Sequence, residues 1–357
     1  MSAQCYILVS NIALPSNRIG SWVTRMDSFN ERNDLFDFIL SPSKASEKHI
    51  FCKKRSFITW NKRLRKFNLL HRVAKDYVAA IKKLAKQNQQ LTIVVMDDPH
   101  LLESLILIKS ELPEKTKLIF SFHGFQLQMS ESVLQRVDKV LFLSYAGYQA
   151  TKDSMFAFVP EVAVVGNCVN SEQFYPLEME ERDAARSKFG YAKRDKVLVW
   201  MANDRPIKGM HLFKKIARTL LEKHSDLKVM VLGSNQQIEG ADILNIGRIP
   251  NEEIAKYLQL GDYYMFTSLC KEGFGLSMIE ALKTGNIVLA SKNGAIPEVL
   301  ENVPNSYLVE NPNELESWVS TFESAIQSSH KRISKEESRA IWNYEDWEQR
   351  FLNAIKN

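Results

Sequence analysis

Only four cysteines are spread along the 357 residues, at Cys5, Cys52, Cys168 and Cys270, and no two of them form a Cys-x-x-Cys pair. That spacing argues against a zinc ribbon and a disulfide scaffold, and it predicts reduced structural thiols in a reducing, cytoplasmic setting. No uninterrupted run of about 18 apolar residues occurs, so no membrane-spanning helix is expected. The opening stretch has neither a basic n-region nor a small-residue cleavage site. Cys5-Tyr-Ile-Leu-Val-Ser10 is therefore read as a buried first strand, not as part of a signal peptide. No Gly-x-Gly-x-x-Gly follows that strand, which counts against a nicotinamide dehydrogenase. Low-complexity tracts and fixed repeats of about 20 to 50 residues are also missing. No spacing of His, Asp, Glu or Cys resembles a metal site, so no metal is expected.

What is present is an ordinary globular composition, 45% hydrophobic and 25% charged, in a chain too long for one comfortable core. Short apolar runs alternate with helical patterns. The first half offers Cys5–Ser10, Phe36–Leu40, Leu91–Met96, Lys117–Phe122, Lys139–Leu143 and Val162–Val165. The second offers Val197–Ala202, Lys228–Gly233, Ile243–Ile246, Tyr263–Thr267, Asn286–Ala290 and Tyr307–Val309. Such alternation predicts an α/β protein with two doubly wound parallel sheets of similar size. The expected domains are 1–175 and 176–343, and a terminal helix over 344–357 is expected to pack back on the first. In that helix Trp347, Phe351 and Ile355 recur at helical spacing.

Charge is uneven. Between Lys44 and Lys86 stand fourteen Lys and Arg against Glu47 and Asp76, a local +12 in a chain of net +5. Trp60, Leu64, Phe67, Leu70, Val73, Tyr77, Ile81 and Leu84 recur at helical spacing and predict a long amphipathic helix over about 60–86. Its basic face is either solvated or meets an anionic membrane surface through Lys53, Lys54, Arg55, Lys62, Arg63, Arg65 and Lys66. No known nucleic-acid reading module is visible, so nucleic acid is not expected as a partner.

Ligands of open parallel sheets bind beyond the carboxyl ends of the strands, so the segments there matter most. After the strand Tyr263–Thr267 comes Lys271-Glu-Gly-Phe-Gly-Leu-Ser-Met-Ile-Glu-Ala-Leu282. Gly273 and Gly275 allow a tight turn, and a helix starting near Gly275 offers bare N–H groups and a positive dipole end to a diphosphate. Leu276, Met278, Ile279, Ala281 and Leu282 make that helix apolar nearly all round and hence buried. Glu280 within it needs donors, either vicinal ribose hydroxyls or a structural cation. Asn203-Asp-Arg-Pro-Ile-Lys-Gly-Met210 follows the strand Val197–Ala202, and its Arg205 and Lys208 suit a diphosphate leaving group. Ser121-Phe-His-Gly-Phe125 places His123 just past another strand. Asp97, Asp98 and His100 follow Leu91–Met96 and are read as a helix cap, the alternative being the border of an acceptor pocket.

Glu272 and Glu280 form a Glu-x₇-Glu pattern that resembles the retaining GT-B glycosyltransferases of family GT4. Other segments are similar to that family in the same order: Val165-Gly-Asn-Cys-Val-Asn170 with Phe174 and Pro176, Lys208-Gly209, Asn245-Ile-Gly-Arg-Ile-Pro250, Gly261-Asp262, Thr284-Gly285 and Ala295-Ile-Pro-Glu298. The resemblance implies a GT-B fold, two Rossmann-like domains about a cleft, and transfer of a sugar from a nucleotide diphosphate to a hydroxyl acceptor with retention. It implies that His123, Arg205, Lys208 and Glu272 are catalytic. It further assigns Gly20, Gly233, Arg248, Ile249, Gly273, Phe274, Gly275, Leu276 and Glu280 to the donor, together with Arg205, Lys208 and Glu272. The implied partners are a nucleotide sugar, uridine diphosphate being the commoner carrier, and a glycan, glycolipid or lipid-linked acceptor. No separate cofactor is expected. The alternatives are a sugar-nucleotide epimerase or hydrolase on the same fold, and a non-catalytic membrane- or partner-binding relative.

Overall fold

A computed structural model describes residues 4–16, 21–55 and 73–357. The chain divides into two compact units, Met1–Gly166 with Glu348–Asn357, and Asn167–Trp347.

The first unit holds a seven-stranded sheet in the order β3-β2-β1-β4-β5-β6-β7, all parallel. Its strands are β1 (Cys5–Ser10), β2 (Phe38–Ser41), β3 (His49–Phe51), β4 (Leu91–Met96), β5 (Lys117–Ser121), β6 (Lys139–Phe142) and β7 (Glu161–Val164). Every residue of β4 is buried, as expected for a central strand covered by helices on both faces. Its core packs Ile7, Val9, Ile93, Val95 and Phe120 against Tyr77 and Ile81 of the Lys75–Ala85 helix.

The second unit holds a six-stranded parallel sheet in the order β10-β9-β8-β11-β12-β13. Here β8 is Lys196–Met201, β9 Leu227–Leu232, β10 Ile243–Gly247, β11 Tyr263–Phe266, β12 Ile287–Ser291 and β13 Ser306–Val309. Trp200, Phe213, Trp318 and Phe322 are buried in its core.

Three sequence expectations differ from this architecture. The first sheet has a seventh strand, β3, which was not anticipated. It has three residues, lies at the sheet edge and buries none of them fully, so it carries no apolar run. Phe36 sits before β2, not in it, and packs its ring on Phe29 at 6.0 Å. The units part at Gly166/Asn167, ahead of the boundary placed at 175, because Val169 N–H already bonds to Trp342 O within the second unit (2.9 Å).

The terminal helix runs Tyr344–Lys356. Within the first unit the Phe351 ring meets Phe29 edge-on at 5.2 Å, and Arg350 Nε donates to Val165 O at 3.0 Å. Of the long helix read over 60–86, the part from Lys75 to Ala85 is helical, and residues 60–72 lie outside the described set. Among the described residues no helix is long and apolar enough to cross a membrane.

Candidate active site

In the second sheet the strand order reverses between β8 and β11, since the chain runs outward from β8 to β10 and returns beside β8. At such a switch point the loops leaving neighbouring strands diverge and open a crevice at their carboxyl ends. The two loops there are residues 202–208 and 267–275. The buried Trp200 at the end of β8 donates its indole N–H to Thr267 Oγ1 (2.8 Å), and that hydroxyl donates to Lys208 O (2.9 Å). Leu269 N–H bonds to Ile207 O at 2.7 Å. The two loops are thus tied backbone to backbone, and the tie delivers Lys208 to Glu272.

The Lys208 ammonium lies 2.5 Å from Glu272 Oε1, with both side chains mostly buried at 15% and 17% exposure. Ser268 Oγ also donates to Glu272 Oε1 (2.5 Å), and Cys270 Sγ lies 3.5 Å from it. Burial pushes the Glu272 carboxyl up, but the Lys208 charge and the hydrogen bonds from Lys208, Ser268 and Cys270 outweigh it and hold the group below the ordinary carboxylate range. Behind Glu272 stands Gly294 at φ 60°. A Cβ there would lie 2.6 Å from both Glu272 N and O, and Ala295 N–H bonds to Glu272 O at 2.9 Å. The loop carrying Ala295-Ile-Pro-Glu298 is therefore a backstop for the glutamate's main chain.

Gly275 takes φ 87° and begins the Leu276–Lys283 helix, and no side chain caps the helix's first N–H groups. Gly273 stays out of the left-handed region, so one glycine of the two makes the turn. Phe274 is buried, its ring edge-on to Trp342 at 4.8 Å, which leaves only its main chain for a ligand. Leu276 is partly exposed, and Met278, Ile279, Ala281 and Leu282 are buried as the apolar pattern required. Glu280 keeps some solvent contact, yet no hydrogen bond or ion pair from the described residues meets its carboxylate. Burial raises it to about 7. A carboxylate in that state accepts whatever hydroxyls a ligand brings.

The remaining residues named from sequence sit apart from the Lys208–Glu272 pair. Arg205 is exposed on the same loop, where its Nε donates to Asn203 Oδ1 (3.3 Å). Arg248 and Ile249 follow β10. Arg248 reaches Asp204 at 3.4 Å, and Asp204 also accepts from Ser234 Oγ (2.6 Å) and Asn235 N (3.1 Å). Gly233, just past β9, abuts Ala202 after β8. Gly20 lies outside the described residues.

In the first unit His123 follows β5. Its Nδ1 lies 3.3 Å from Arg25 Nη2 and its Nε2 lies 3.0 Å from Ser121 Oγ, and the Trp22 ring is 5.6 Å away. Burial, with the adjacent Arg25 charge, holds His123 well below its ordinary value, so the ring is neutral. A guanidinium can only donate, hence Nδ1 accepts and the ring proton sits on Nε2. The pair Asp97-Asp98 separates. Asp98 Oδ1 caps the Pro99–Ile106 helix through His100 N (3.0 Å) and Leu101 N (3.1 Å), and Asp98 also takes Lys54 and Asn11, each at 2.5 Å. Asp97 plays no part in the cap and instead accepts His123 N–H at 2.9 Å. Lys54 is 14% exposed and paired, so it is withdrawn from the set of cations expected to meet a membrane.

Sequence reading missed Ser268, Cys270, Arg25 and Trp22, whose roles come from contacts that no spacing announces. It also missed Lys283. That ammonium is buried at the end of an apolar helix, donates to Ser171 Oγ (3.0 Å), Ser338 O (2.5 Å) and Ile341 O (2.8 Å), and is lowered to about 8 by burial. Among the described residues no group of three or more His, Cys, Asp or Glu is placed to hold a metal ion.

Residues 181–344 match the family described as glycosyl transferases group 1. The phosphatidylinositol N-acetylglucosaminyltransferase GPI3 subunit of Saccharomyces cerevisiae is 27% identical over 224 residues, 58% of this chain and 45% of that protein. The lipopolysaccharide 1,2-N-acetylglucosaminetransferase of Salmonella typhimurium is 23% identical over 219 residues, covering 55% and 56%. This chain thus spans about half the length of the curated relatives it matches. Solved structures align over nearly the whole chain, two of them as follows. Sucrose-phosphate synthase from Thermosynechococcus elongatus has a TM-score of 0.74 at 14% identity, covering 99% of this chain and 98% of its own. Anabaena HepE in complex with UDP and glucose has a TM-score of 0.70 at 15% identity, covering 98% and 99%. The Asn167–Trp347 unit therefore belongs to the group 1 glycosyl transferases, and the chain has the GT-B fold.

Proposed function

We propose that this chain is a retaining glycosyltransferase that moves a sugar from a nucleotide diphosphate to a hydroxyl of an acceptor. The observation that carries the reading is one switch-point crevice holding the Lys208–Glu272 pair, an uncapped helix start at Gly275 and Glu280, whose carboxylate has no partner among the described residues. The nucleotide's ribose hydroxyls donate to Glu280. The diphosphate rests on the helix N–H groups and on Lys208, with Arg205 and Arg248 adding positive charge on the loops after β8 and β10. The bond between the anomeric carbon and the phosphate oxygen breaks, and the growing phosphate charge is met by Lys208 and the helix end. The acceptor oxygen bonds to the same face, and its proton passes to the departing phosphate. Glu272, held charged, contacts the sugar while fixing Lys208. No enzymic nucleophile is required.

HepE has been solved with UDP-glucose, and relatives are named for N-acetylglucosaminyl transfer and for GDP-mannose. These names set the screen: UDP-glucose, UDP-N-acetylglucosamine and GDP-mannose, each with phosphatidylinositol in mixed micelles or with octyl glycosides. Acceptor-dependent release of nucleoside diphosphate, with an α-linked product by NMR, is the expected result. Release without an acceptor-linked product would instead identify a hydrolase, and a sugar isomer as product an epimerase. Normal turnover in both Lys208→Ala and Glu280→Ala would remove the site assignment. The basic segment 44–86 is the proposed contact with an anionic membrane surface, without Lys54. Co-sedimentation with phosphatidylserine vesicles that fades with added salt is the matching test.

A further inference from the structure

The turn after β4 contains a charge that the fold does not call for. Asp97 has φ 45°, in the left-handed region that a non-glycine residue seldom occupies. The reason for the turn is visible. Asp97 N–H is held by Ser121 O at 2.9 Å, and the next residue, Asp98, must swing to φ −129° to cap the Pro99–Ile106 helix. Asn tolerates this conformation as well as Asp does, and its side-chain oxygen would accept His123 N–H equally. Neither requirement explains a carboxylate.

The charge is also unsupported. One oxygen of Asp97, Oδ1, takes the His123 amide, and no described residue bonds to the other. The nearby cation Lys54 is spent on Asp98, and Arg25 Nη2 is directed at His123 Nδ1. Burial, reinforced by the Asp98 charge, raises Asp97 to about 6 despite the His123 hydrogen bond. A largely enclosed carboxylate with an open lone pair, at the carboxyl end of a parallel strand and beside His123, is built to receive a donor that no described residue supplies.

We infer that Asp97 is a substrate-binding residue whose open carboxylate oxygen accepts a hydrogen bond from a sugar or polyol hydroxyl. The inference rests on the glycosyltransferase reading above. The hydroxyl belongs either to the donor sugar or to the acceptor, and kinetics separate the two.

The test is Asp97→Asn, which keeps the left-handed conformation and the oxygen facing His123 N–H but puts an amide N–H₂ donor where the open acceptor stood. Wild type and variant are compared with the donor and acceptor that turn over in the screen above. If the acceptor supplies the hydroxyl, its KM rises about ten- to a hundredfold, the range spanned by losing a hydrogen bond to a charged group, and donor KM is unchanged. If the donor sugar supplies it, donor KM rises by that factor, including in acceptor-free hydrolysis. In either case Tm stays level or rises, because an uncompensated charge has gone. A folded Asp97→Asn with both KM values within about twofold of wild type would overturn the inference. A fall in Tm would do the same, by showing that the charge serves the fold. A wild type that releases no nucleotide from any donor would instead overturn the functional reading, and this inference with it.

Discussion

Replacing Lys208 by Met tests the centre of the proposed site, because stability and turnover should respond differently. The substitution keeps much of the side-chain volume and removes the ammonium. Glu272 retains Ser268 and Cys270 but loses the one counter-charge that the described residues give it, in a pocket where both partners are mostly buried. Breaking a buried pair costs about 3–5 kcal/mol, and the residual exposure of both groups brings the expectation to about 2–3 kcal/mol. For a unit of this size that corresponds to a Tm fall of roughly 4–12 °C. The sign with pH follows from Glu272. In the wild type its carboxyl is depressed, so its contribution to stability is present above its unfolded value and is lost as pH falls. Without Lys208 burial prevails and the carboxyl rises above its unfolded value, so stability is lost as pH rises through the new value. The Tm deficit of Lys208→Met should therefore be large near pH 8 and shrink near about pH 5. The double variant Lys208→Met/Glu272→Gln should recover most of the Tm, since no bare charge remains. Turnover should stay down by roughly 10²–10³ in both, since the cation proposed to meet the leaving group is gone. Thermal unfolding at the two pH values, paired with nucleotide-release rates, reads all of this. A single variant as stable as wild type near pH 8, or a double variant with wild-type turnover, would refute the reasoning.

Glu280, raised to about 7, should make donor affinity climb as pH passes from about 6 to 8, because only its charged form accepts two ribose hydroxyls. Calorimetric titration with UDP-glucose, whose diphosphate has no terminal group that titrates in this window, should show this slope in wild type and a flat, weaker profile in Glu280→Gln. Gly294→Ala would place a Cβ 2.6 Å from the Glu272 main chain and combine that clash with a left-handed backbone. It should cost more than about 1 kcal/mol in denaturant titration and depress turnover even though residue 294 itself performs no chemistry. Asp98→Ala should destabilise the first unit by at least about 0.5–2 kcal/mol from the lost cap, with a further cost for stranding the half-buried Lys54. Urea unfolding followed by Trp fluorescence would measure it, and a loss under that range would show that Asp98 is not holding the turn.

Much of this protein could be read from the order of its residues, and the reasons are local. All six strands of the second sheet and six of the first announced themselves as apolar runs of limited length, the central ones because both of their faces are buried. The edge strand His49–Phe51 did not, since three residues, none of them fully buried, make no apolar run. Lys208 stood out as a candidate because a parallel sheet puts its ligand loops directly after strands, whereas Glu272 and Glu280 were singled out by the Glu-x₇-Glu resemblance. The charge states of these groups were not legible. Glu272 is held low and Glu280 is raised because one meets Lys208 and the other meets no partner among the described residues, and the two are only a helix length apart in sequence. The adjacent Asp97 and Asp98 divide in the same way, one facing His123 N–H and the other capping a helix. Residue type and spacing set which elements form and which side chains stand at their ends. Which charges are compensated depends on neighbours brought in from distant strands, and only packing decides that.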